Sequence, residues 1–182
     1  MERAALTDPV KISVSNKYQT VDNLRQEYLF FPAKLKDTYL AYLMQQKIGK
    51  DVIVFTLTCL NANRVCLLLR KLGHNAVTVN GQMSQSKRLG SLQRFRQRDA
   101  SVLVATDVAS RGLDIPSVDL VINYDLPMCP KDYIHRVGRT ARAGRAGRSV
   151  SFVTQYDIED VQKIESLLGK KLDQYTETSG DI

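Results

Sequence analysis

The stretch that decides the fold is residues 52–73, VIVFTLTCLNANRVCLLLRKLG, in which an apolar run precedes a helical pattern. The run VIVF is continuously apolar, which is typical of a strand buried on both faces. Over residues 61–72 the side chains of Ala62, Val65, Leu69 and Leu72 fall on one helical face, and Gly73 is suited to end the helix. The segment therefore predicts a strand and then a helix, the repeating unit of a parallel sheet.

The same alternation extends in both directions from this segment. Strands are predicted over residues 27–31, 52–55, 76–79, 102–105, 120–122 and 149–153. Helices are predicted over residues 33–46, 61–72, 84–96, 130–137 and 157–168. Such alternation forms right-handed βαβ units, so we predict an α/β fold with a mostly parallel sheet and helices on both faces. We expect a linker or tail over 1–20, the domain over 21–172 and a second tail over 173–182.

Composition limits the classes of protein to consider. The net charge of +7 and pI near 9.4 favour a polyanionic partner, and the 43% hydrophobic content is enough for a packed core. No apolar stretch approaches the roughly 18 to 20 residues of a membrane span, and the charged start is unlike a secretory signal. Three cysteines and two histidines predict reduced thiols in an intracellular compartment and no metal site.

Residues 105–116, ATDVASRGLDIP, follow a predicted strand at the edge where parallel sheets bind ligands. Thr106 offers a hydroxyl and a backbone N–H to a phosphate, and Gly112 permits backbone conformations that other residues resist. Asp114 is placed to accept a hydrogen bond from a ribose hydroxyl. The alternative is an ordinary strand, turn and helix in which Asp107 caps the helix.

Residues 135–148, HRVGRTARAGRAGR, carry an arginine at every third position. In a helix Arg136, Arg139 and Arg142 would share a face, where like charges repel by a few tenths of a kcal/mol per pair. This arrangement predicts a bound anion, and guanidinium groups suit phosphate oxygens. The glycines in the segment would loosen the helix and admit a ligand. The alternative is a solvated basic face.

Two further segments are weaker signals. In residues 80–88, NGQMSQSKR, Gly81 follows a strand, and a helix start with Lys87 and Arg88 one turn on favours phosphate. In residues 52–58, VIVFTLT, Thr56 or Thr58 could meet a nucleic-acid backbone. For the first segment a capped helix with exposed basic residues is the better explanation, and for the second a plain turn is an equally good one.

In their order and spacing, these four segments resemble the C-terminal helicase motifs of DEAD-box proteins. The resemblance covers residues 20–170 and implies a RecA-like three-layer sandwich belonging to an ATP-dependent RNA helicase. KLKDTYLAYL, QMSQSKRLGSLQRF and FVTQYDIEDVQKIE are similar to the nucleolar branch that processes ribosomal RNA. A nuclear, nucleolar role in ribosome biogenesis is therefore expected.

The resemblance also implies roles for individual residues. Arg139 and Arg142 are expected to be catalytic and to act on the γ-phosphate of ATP. Asp114 and His135 are expected at the nucleotide, Asp114 on the ribose, while His135 and Arg136 link the nucleotide to the RNA. The residues expected near the sugar-phosphate backbone of single-stranded RNA are Thr56, Gly81, Arg88, Thr106, Arg111 and Gly112. Many family members have histidine where this chain has Asn80, and little loss is expected because the backbone of Gly81 is the useful group.

The sequence also lacks several groups that such an enzyme needs. It contains no G-x-x-x-x-G-K-[ST] phosphate loop, no Asp-Glu-Ala-Asp run and no Ser-Ala-Thr. The groups that hold the β- and γ-phosphates and Mg²⁺ are therefore missing. We expect an excised half-enzyme: an inactive monomer whose partner is its own N-terminal RecA-like domain, which holds ATP and Mg²⁺. A non-catalytic RNA- or protein-binding module and a DNA-acting helicase of the same superfamily stay open as alternatives.

Overall fold

The computed structural model describes residues 23–142 and 145–176. Its strands are β1 (Leu24–Phe30), β2 (Val52–Thr56), β3 (Ala76–Val79), β4 (Val102–Thr106), β5 (Leu120–Asn123), β6 (Gly147–Val153) and β7 (Asp173–Gln174). They form one seven-stranded sheet in the order β3-β4-β2-β5-β6-β1-β7. Every neighbouring pair is parallel, so the carboxyl ends of all the strands lie along one edge.

Helices cover both faces of the sheet. They are α1 (Lys36–Gln46), preceded by a 3-10 turn (Ala33–Leu35), α2 (Cys59–Lys71), α3 (Gln85–Arg96), the short α4 (Asp107–Ser110), α5 (Pro130–Val137) and α6 (Ile158–Leu168). Side chains of α1 and α2 pack in one core cluster, and those of α3 and of α5 with α6 pack in two others. The predicted α/β architecture with a parallel sheet and two helical layers is confirmed.

The alternation of side chains along the central strands sends each residue to one of these layers. Val52 and Val54 of β2 join the α1–α2 cluster, whereas Ile53 and Phe55 join the α3 cluster. All residues of β2 and β4 are buried. Continuous apolar runs fit because a parallel sheet covered on both faces has no solvent side.

Most predicted elements are present, with shifted ends. α2 begins two residues before the predicted start because the Thr58 hydroxyl caps it, accepting a bond from Asn61 N at 3.1 Å. Leu72 was predicted to face inward, but the helix has ended there and the residue is 46% exposed. The helix α4 corresponds to the alternative given for residues 105–116, and β7 was not predicted. Because β7 starts at Asp173, the packed fold continues past the boundary expected at 172, and the linker expected over 1–20 lies outside the described residues.

A buried ionic contact joins β1 to β6. The Glu27 side chain is fully buried, and both its oxygens accept bonds from Arg148, at 2.5 and 3.1 Å. Arg25 adds an ion pair to the same carboxylate at 3.0 Å. A carboxylate removed from water requires such pairing, so these polar residues belong to a buried strand.

The three cysteines, Cys59, Cys66 and Cys129, are all free thiols. Cys66 lies in the core, where burial raises the pKa of its thiol. Within the described ranges, no helix combines the length and the apolar character that a bilayer crossing requires.

Candidate functional site

The ends of β2, β4 and β3 bring the first group of predicted residues together. Thr56 is paired in register with Thr106, and Val79 with Ala105. Neighbouring strands lie about 4.8 Å apart, so the turn that follows Val79 stands beside Thr106. Thr56, Thr106 and Gly81 therefore occupy one short stretch of the carboxyl edge, as binding to a common ligand requires.

The two threonines differ in their hydrogen bonding. The Thr56 hydroxyl donates to the carbonyl of Thr58 at 3.3 Å. The Thr106 hydroxyl is buried and has no hydrogen-bond partner among the described residues. A buried polar group without a partner is costly, and a ligand oxygen at this edge would relieve that cost.

The turn at Gly81 is fixed from both sides. Asn80 is fully buried; its side-chain oxygen accepts from Gln82 N at 3.1 Å, and its amide donates to Asn63 Oδ1 at 2.8 Å. Arg88 reaches back from α3 and donates to the carbonyl of Gly81 at 3.0 Å, while its buried Nε has no partner within the described parts of the chain. The asparagine side chain therefore shapes the turn itself, a role that sequence reasoning missed.

The Arg136 side chain is fixed by four hydrogen bonds. It is 1% exposed and grips the Asp107 carboxylate with two bonds of 2.6 and 2.7 Å. A third nitrogen donates to the carbonyl of Asp125 at 2.6 Å and to Asn123 Oδ1 at 3.2 Å. The guanidinium also lies 5.1 Å from the centre of the Phe55 ring. Since Asp107 directly follows Thr106, Arg136 ties α5 to the strand end at which a phosphate is expected.

A pocket of about 220 Å³ opens beside Arg136. Its lining consists of Asp107, Ser110, Arg111, Gly112, Asp132, His135, Arg136 and Arg139. Gly112 has φ +75, a left-handed conformation that glycine adopts without strain, as the sequence predicted. Arg111 pairs with Asp132 at 2.5 Å, and His135 lies 3.6 Å from the same carboxylate. Arg111 and Gly112, expected near the RNA, are thus grouped with residues expected at the nucleotide.

The predicted shared helical face of Arg136, Arg139 and Arg142 is wrong. α5 ends at Val137 and Gly138 caps it, so only Arg136 is helical, and it points inward. Arg139 follows, with its carbonyl accepting from Val118 N at 3.0 Å. The chain then turns at Ala141, whose φ is +55, before Arg142.

Arg139 and Arg142 nevertheless lie close enough to repel each other. Burial, and next the charge of Arg142, lower the pKa of Arg139. Arg142 donates its Nε to the carbonyl of Gly138 at 2.6 Å. Neither side chain has an ion pair of 4 Å or less among the described residues, so both keep donors available for an anion.

The glycines of this segment act differently from the prediction. Gly147 does not loosen a helix; it begins β6 and packs against the turn after α5. A Cβ on Gly147 would meet Ala141 N at 2.3 Å and Thr140 Oγ1 at 2.5 Å. Gly138 permits close packing of the helix end, and Gly144 lies outside the described residues.

Asp114 stands apart from the pocket. Its side chain is 92% exposed, pairs with Arg96 at 3.0 Å, and contributes no atoms to the pocket wall. An exposed carboxylate at this position is accessible to a ribose hydroxyl. The charge of Asp114 also acts on Arg139. Asp114 is therefore within electrostatic range of the turn over residues 139–142, which carries Arg139 and Arg142 and is called the arginine turn below.

Two carboxylates that organise the site, those of Asp107 and Asp125, were not predicted to do so from the sequence. Asp107 was considered only as a helix cap, yet it holds Arg136. Asp125 was not predicted as a site residue, although it begins a loop after a buried strand, and its side chain contacts the loop after β2 as well as α1 and α2. The available signal was an acidic residue within three positions after an apolar run, after VLVA for Asp107 and after LVI for Asp125.

A third carboxylate, that of Asp37, connects helices α1 and α2. Asp37 of α1 accepts two bonds from Arg64 of α2, at 2.6 and 3.1 Å, and one from the Tyr124 hydroxyl at 2.7 Å. The Arg64 contact lowers the pKa of Asp37, against an opposing effect of burial. Burial, and next the Asp37 contact, raise the pKa of Tyr124.

Comparisons with known proteins agree with the family resemblance of the sequence motifs. A family model described as the helicase conserved C-terminal domain matches residues 35–144. The chain is 60% identical over 172 residues to the probable ATP-dependent RNA helicase DDX47 of Mus musculus, covering 94% of this chain and 38% of that protein. It is 57% identical over 176 residues to the ATP-dependent rRNA helicase rrp3 of Aspergillus fumigatus, covering 96% and 37%. The chain therefore spans well under half the length of these relatives.

Solved structures give the same fold. The E. coli DEAD-box protein SrmB, bound to regulator of ribonuclease activity A, has a TM-score of 0.79 and 34% identity, covering 85% of this chain and 91% of that one. S. cerevisiae Dbp5 bound to RNA and ADP BeF3 has a TM-score of 0.78 and 31% identity, covering 86% and 42%. The resemblance found in the motifs is confirmed, and this chain belongs to the helicase conserved C-terminal domain family, as the C-terminal RecA-like domain of a DEAD-box protein.

Proposed function

We propose that this chain is the C-terminal half of an ATP-dependent RNA helicase, which couples ATP hydrolysis to local unwinding or remodelling of RNA. The proposal is supported by relatives named as RNA helicases and by the phosphate-directed groups along the carboxyl edge. The name of the rrp3 relative specifies ribosomal RNA. We therefore assign ribosomal RNA processing as the process and the nucleolus as the compartment.

The nucleotide side of the proposal rests on Arg139 and Arg142. An N-terminal RecA-like domain holds ATP with Mg²⁺, and closure of the two domains brings these guanidinium groups to the γ-phosphate. There they stabilise the charge of the phosphoryl-transfer transition state, a contribution of about 10³ to 10⁵ in rate. Asp114, with its exposed carboxylate, accepts from the ribose, and His135 lines the adjoining pocket.

The RNA side rests on Thr56, Thr106, Gly81 and Arg88. Hydroxyl, backbone and guanidinium groups at one sheet edge suit the sugar-phosphate backbone of a single strand. Phosphate and sugar contacts carry no base identity, so little base preference is expected. Binding is then largely sequence-independent and weakens as salt rises.

Arg136 joins the two sides. It contacts Asp107 next to Thr106, while its own helix leads directly to Arg139. A shift of Arg136 on nucleotide binding therefore moves the RNA contact as well. The Arg136 guanidinium is buried and bonded to Asn123 and Asp125. The nucleotide side and the RNA side of the proposed site therefore move together.

One observation carries the proposal: Arg139 and Arg142 follow α5 closely enough for the charge of Arg142 to act on Arg139, and neither has an acidic partner at ion-pair distance in the described parts of the chain. A solvated basic surface gains nothing from bringing two repelling guanidinium groups together. An anion bound between them, such as the γ-phosphate, reverses that repulsion.

The test is RNA-stimulated ATP hydrolysis by the full-length protein with Arg142→Ala. We expect kcat to fall by about 10³ or more, with unchanged RNA affinity and unfolding midpoint, because the side chain makes one hydrogen bond within the domain. Arg94→Ala, an exposed arginine on α3 outside the site, is the matched control. Unchanged turnover by Arg142→Ala would remove this residue from the nucleotide site, and equal stimulation by DNA would exclude RNA specificity.

A further inference from the structure

The carboxylate of Asp125 holds three elements at the end of the sheet. Its Oδ2 accepts from the backbone N–H of Leu57 at 3.1 Å and from the side-chain amide of Asn61 at 2.8 Å. Its Oδ1 accepts from Lys36 Nζ at 2.8 Å, an ion pair in which both side chains are under a fifth exposed. One side chain therefore fixes the loop after β2, the start of α2 and the start of α1.

The backbone of Asp125 makes two more contacts at the same place. Its N–H donates to the carbonyl of Phe55 at 3.2 Å, directly before Thr56. Its carbonyl accepts from Arg136 at 2.6 Å. Asp125 thus lies between the end of β2, at Thr56, and Arg136, which is bonded to Asp107. It belongs neither to the residues proposed to bind RNA nor to those proposed to bind the nucleotide.

Given the function proposed above, on which this step rests, we propose that Asp125 is a positioning residue for RNA-stimulated ATP hydrolysis. Its carboxylate keeps Leu57 in place directly after Thr56, the last residue of β2, so that Thr56 meets an RNA phosphate while Arg136 holds the nucleotide side. Asp125 itself touches neither ligand. The division between side chain and backbone makes its role separable, because the side chain serves the RNA loop and the carbonyl serves Arg136.

Two substitutions divide these contacts. Asp125→Ala removes all three side-chain bonds but leaves the carbonyl for Arg136. Asp125→Asn keeps one oxygen, which can still accept from Leu57 and Asn61, while its amide nitrogen replaces the oxygen that Lys36 donates to, so both the ion pair and that hydrogen bond are lost. If loop placement is the role, the asparagine rescues most of the function that the alanine loses.

The experiment measures ATP turnover of the full-length protein against RNA and ATP concentration. For Asp125→Ala we expect about a tenfold rise in the RNA concentration at half-maximal rate, the factor for one lost hydrogen bond to a charged group. The KM for ATP should change less than about twofold, and Asp125→Asn should shift the RNA dependence less than about threefold. Asp157→Ala is the matched control, since Asp157 anchors the loop after β6 through Thr154 N and Oγ1 at 2.8 and 2.6 Å.

A purely structural role predicts something else: Asp125→Ala would lower the unfolding midpoint as Asp157→Ala does and leave the RNA dependence alone. That result overturns the proposal, as do equal shifts for alanine and asparagine. Amide hydrogen exchange of Leu57 in the 182-residue chain gives a second readout, with about tenfold faster exchange expected in Asp125→Ala. Unchanged exchange also overturns it. A wild-type enzyme without RNA stimulation would instead reject the proposed function, and the exchange result would still decide whether Asp125 anchors the loop.

Discussion

At the scale of single residues, the absence of a side chain at Gly147 lets the arginine turn pack closely against the start of β6. A Cβ there would lie 2.3 Å from Ala141 N and 2.5 Å from Thr140 Oγ1, whose hydroxyl donates to the Val118 carbonyl at 2.6 Å. Gly147→Ala should therefore displace the turn or β6 and lower the free energy of unfolding by about 1 to 3 kcal/mol. Urea denaturation followed by circular dichroism measures the change.

Gly90 provides the matched control at this scale. It lies inside α3, and a Cβ there would meet nothing within 4 Å. Gly90→Ala should raise the free energy of unfolding by roughly 0.5 to 1 kcal/mol, because alanine restricts the unfolded chain and favours helix. Equal effects of the two alanines would show that the contact at Gly147 does not constrain the turn.

In the predicted segments, sequence patterns indicated local backbone conformation more reliably than the direction of side chains. The positive φ of Gly112 was predicted, because only the local backbone is involved. The inward turn of Arg136 was not, since it depends on Asp107, a residue 29 positions away that only the folded sheet brings near. Asn80 was expected to matter little for the same reason: its partner Asn63 lies on another element.

At the scale of elements, the buried central strands could be predicted and the sheet's other edge could not. β2 and β4 are uniformly apolar, which identifies them without tertiary information. The first three residues of β1, Leu24 to Gln26, were missed because Arg25 and Gln26 look solvated in the sequence, although Arg25 pairs in the fold with the buried Glu27 carboxylate. β7 has two exposed residues, so neither periodicity nor hydrophobicity marks it.

The contact between α1 and α2 gives a prediction about pH. Arg64 lowers the pKa of Asp37 below its ordinary value of 3.8, so the folded state binds the proton more weakly than the unfolded state. The resulting stabilisation is complete above that ordinary value and is lost as the pH falls through the lower folded-state pKa. Asp37→Asn should reduce stability at neutral pH and flatten its decline below pH 3.8. The effect should be modest, since both side chains are nearly half exposed.

Urea midpoints measured at a series of pH values from neutral to strongly acid test this prediction. Asp99→Asn, an exposed carboxylate outside any described ion pair, is the control and should leave the acid limb parallel to the wild type. A variant at Asp37 whose acid limb also stays parallel would mean that the pair with Arg64 contributes nothing to the acid sensitivity.

At the scale of the whole molecule, Thr56, Gly81 and Thr106 share the carboxyl edge of the sheet, whereas the turn that carries Arg139 and Arg142 packs against Val118 and Gly147, before β5 and at the start of β6. The shared edge follows from topology: with every strand parallel, the loops after β2, β3, β4 and β5 all emerge together. The segments were therefore assigned to a common edge from the βα pattern alone. Their division into an RNA group and a pocket around Arg136 needed the strand order, which the sequence does not encode locally.

The 182-residue chain alone should not hydrolyse ATP, because its sequence contains no phosphate loop and no Asp-Glu-Ala-Asp run to hold the β- and γ-phosphates and Mg²⁺. It should bind single-stranded RNA weakly, with log K falling by about 0.7 per log unit of salt for each phosphate neutralised. Arg88→Ala should lower that slope by about one such step, whereas Arg94→Ala, on the same helix α3 but outside the RNA group, should leave it unchanged. Fluorescence anisotropy with a labelled oligouridine across a salt series measures the slopes. Robust RNA-stimulated hydrolysis by this chain alone would contradict the half-enzyme assignment, because the arginine turn would then act on a nucleotide that the domain itself grips.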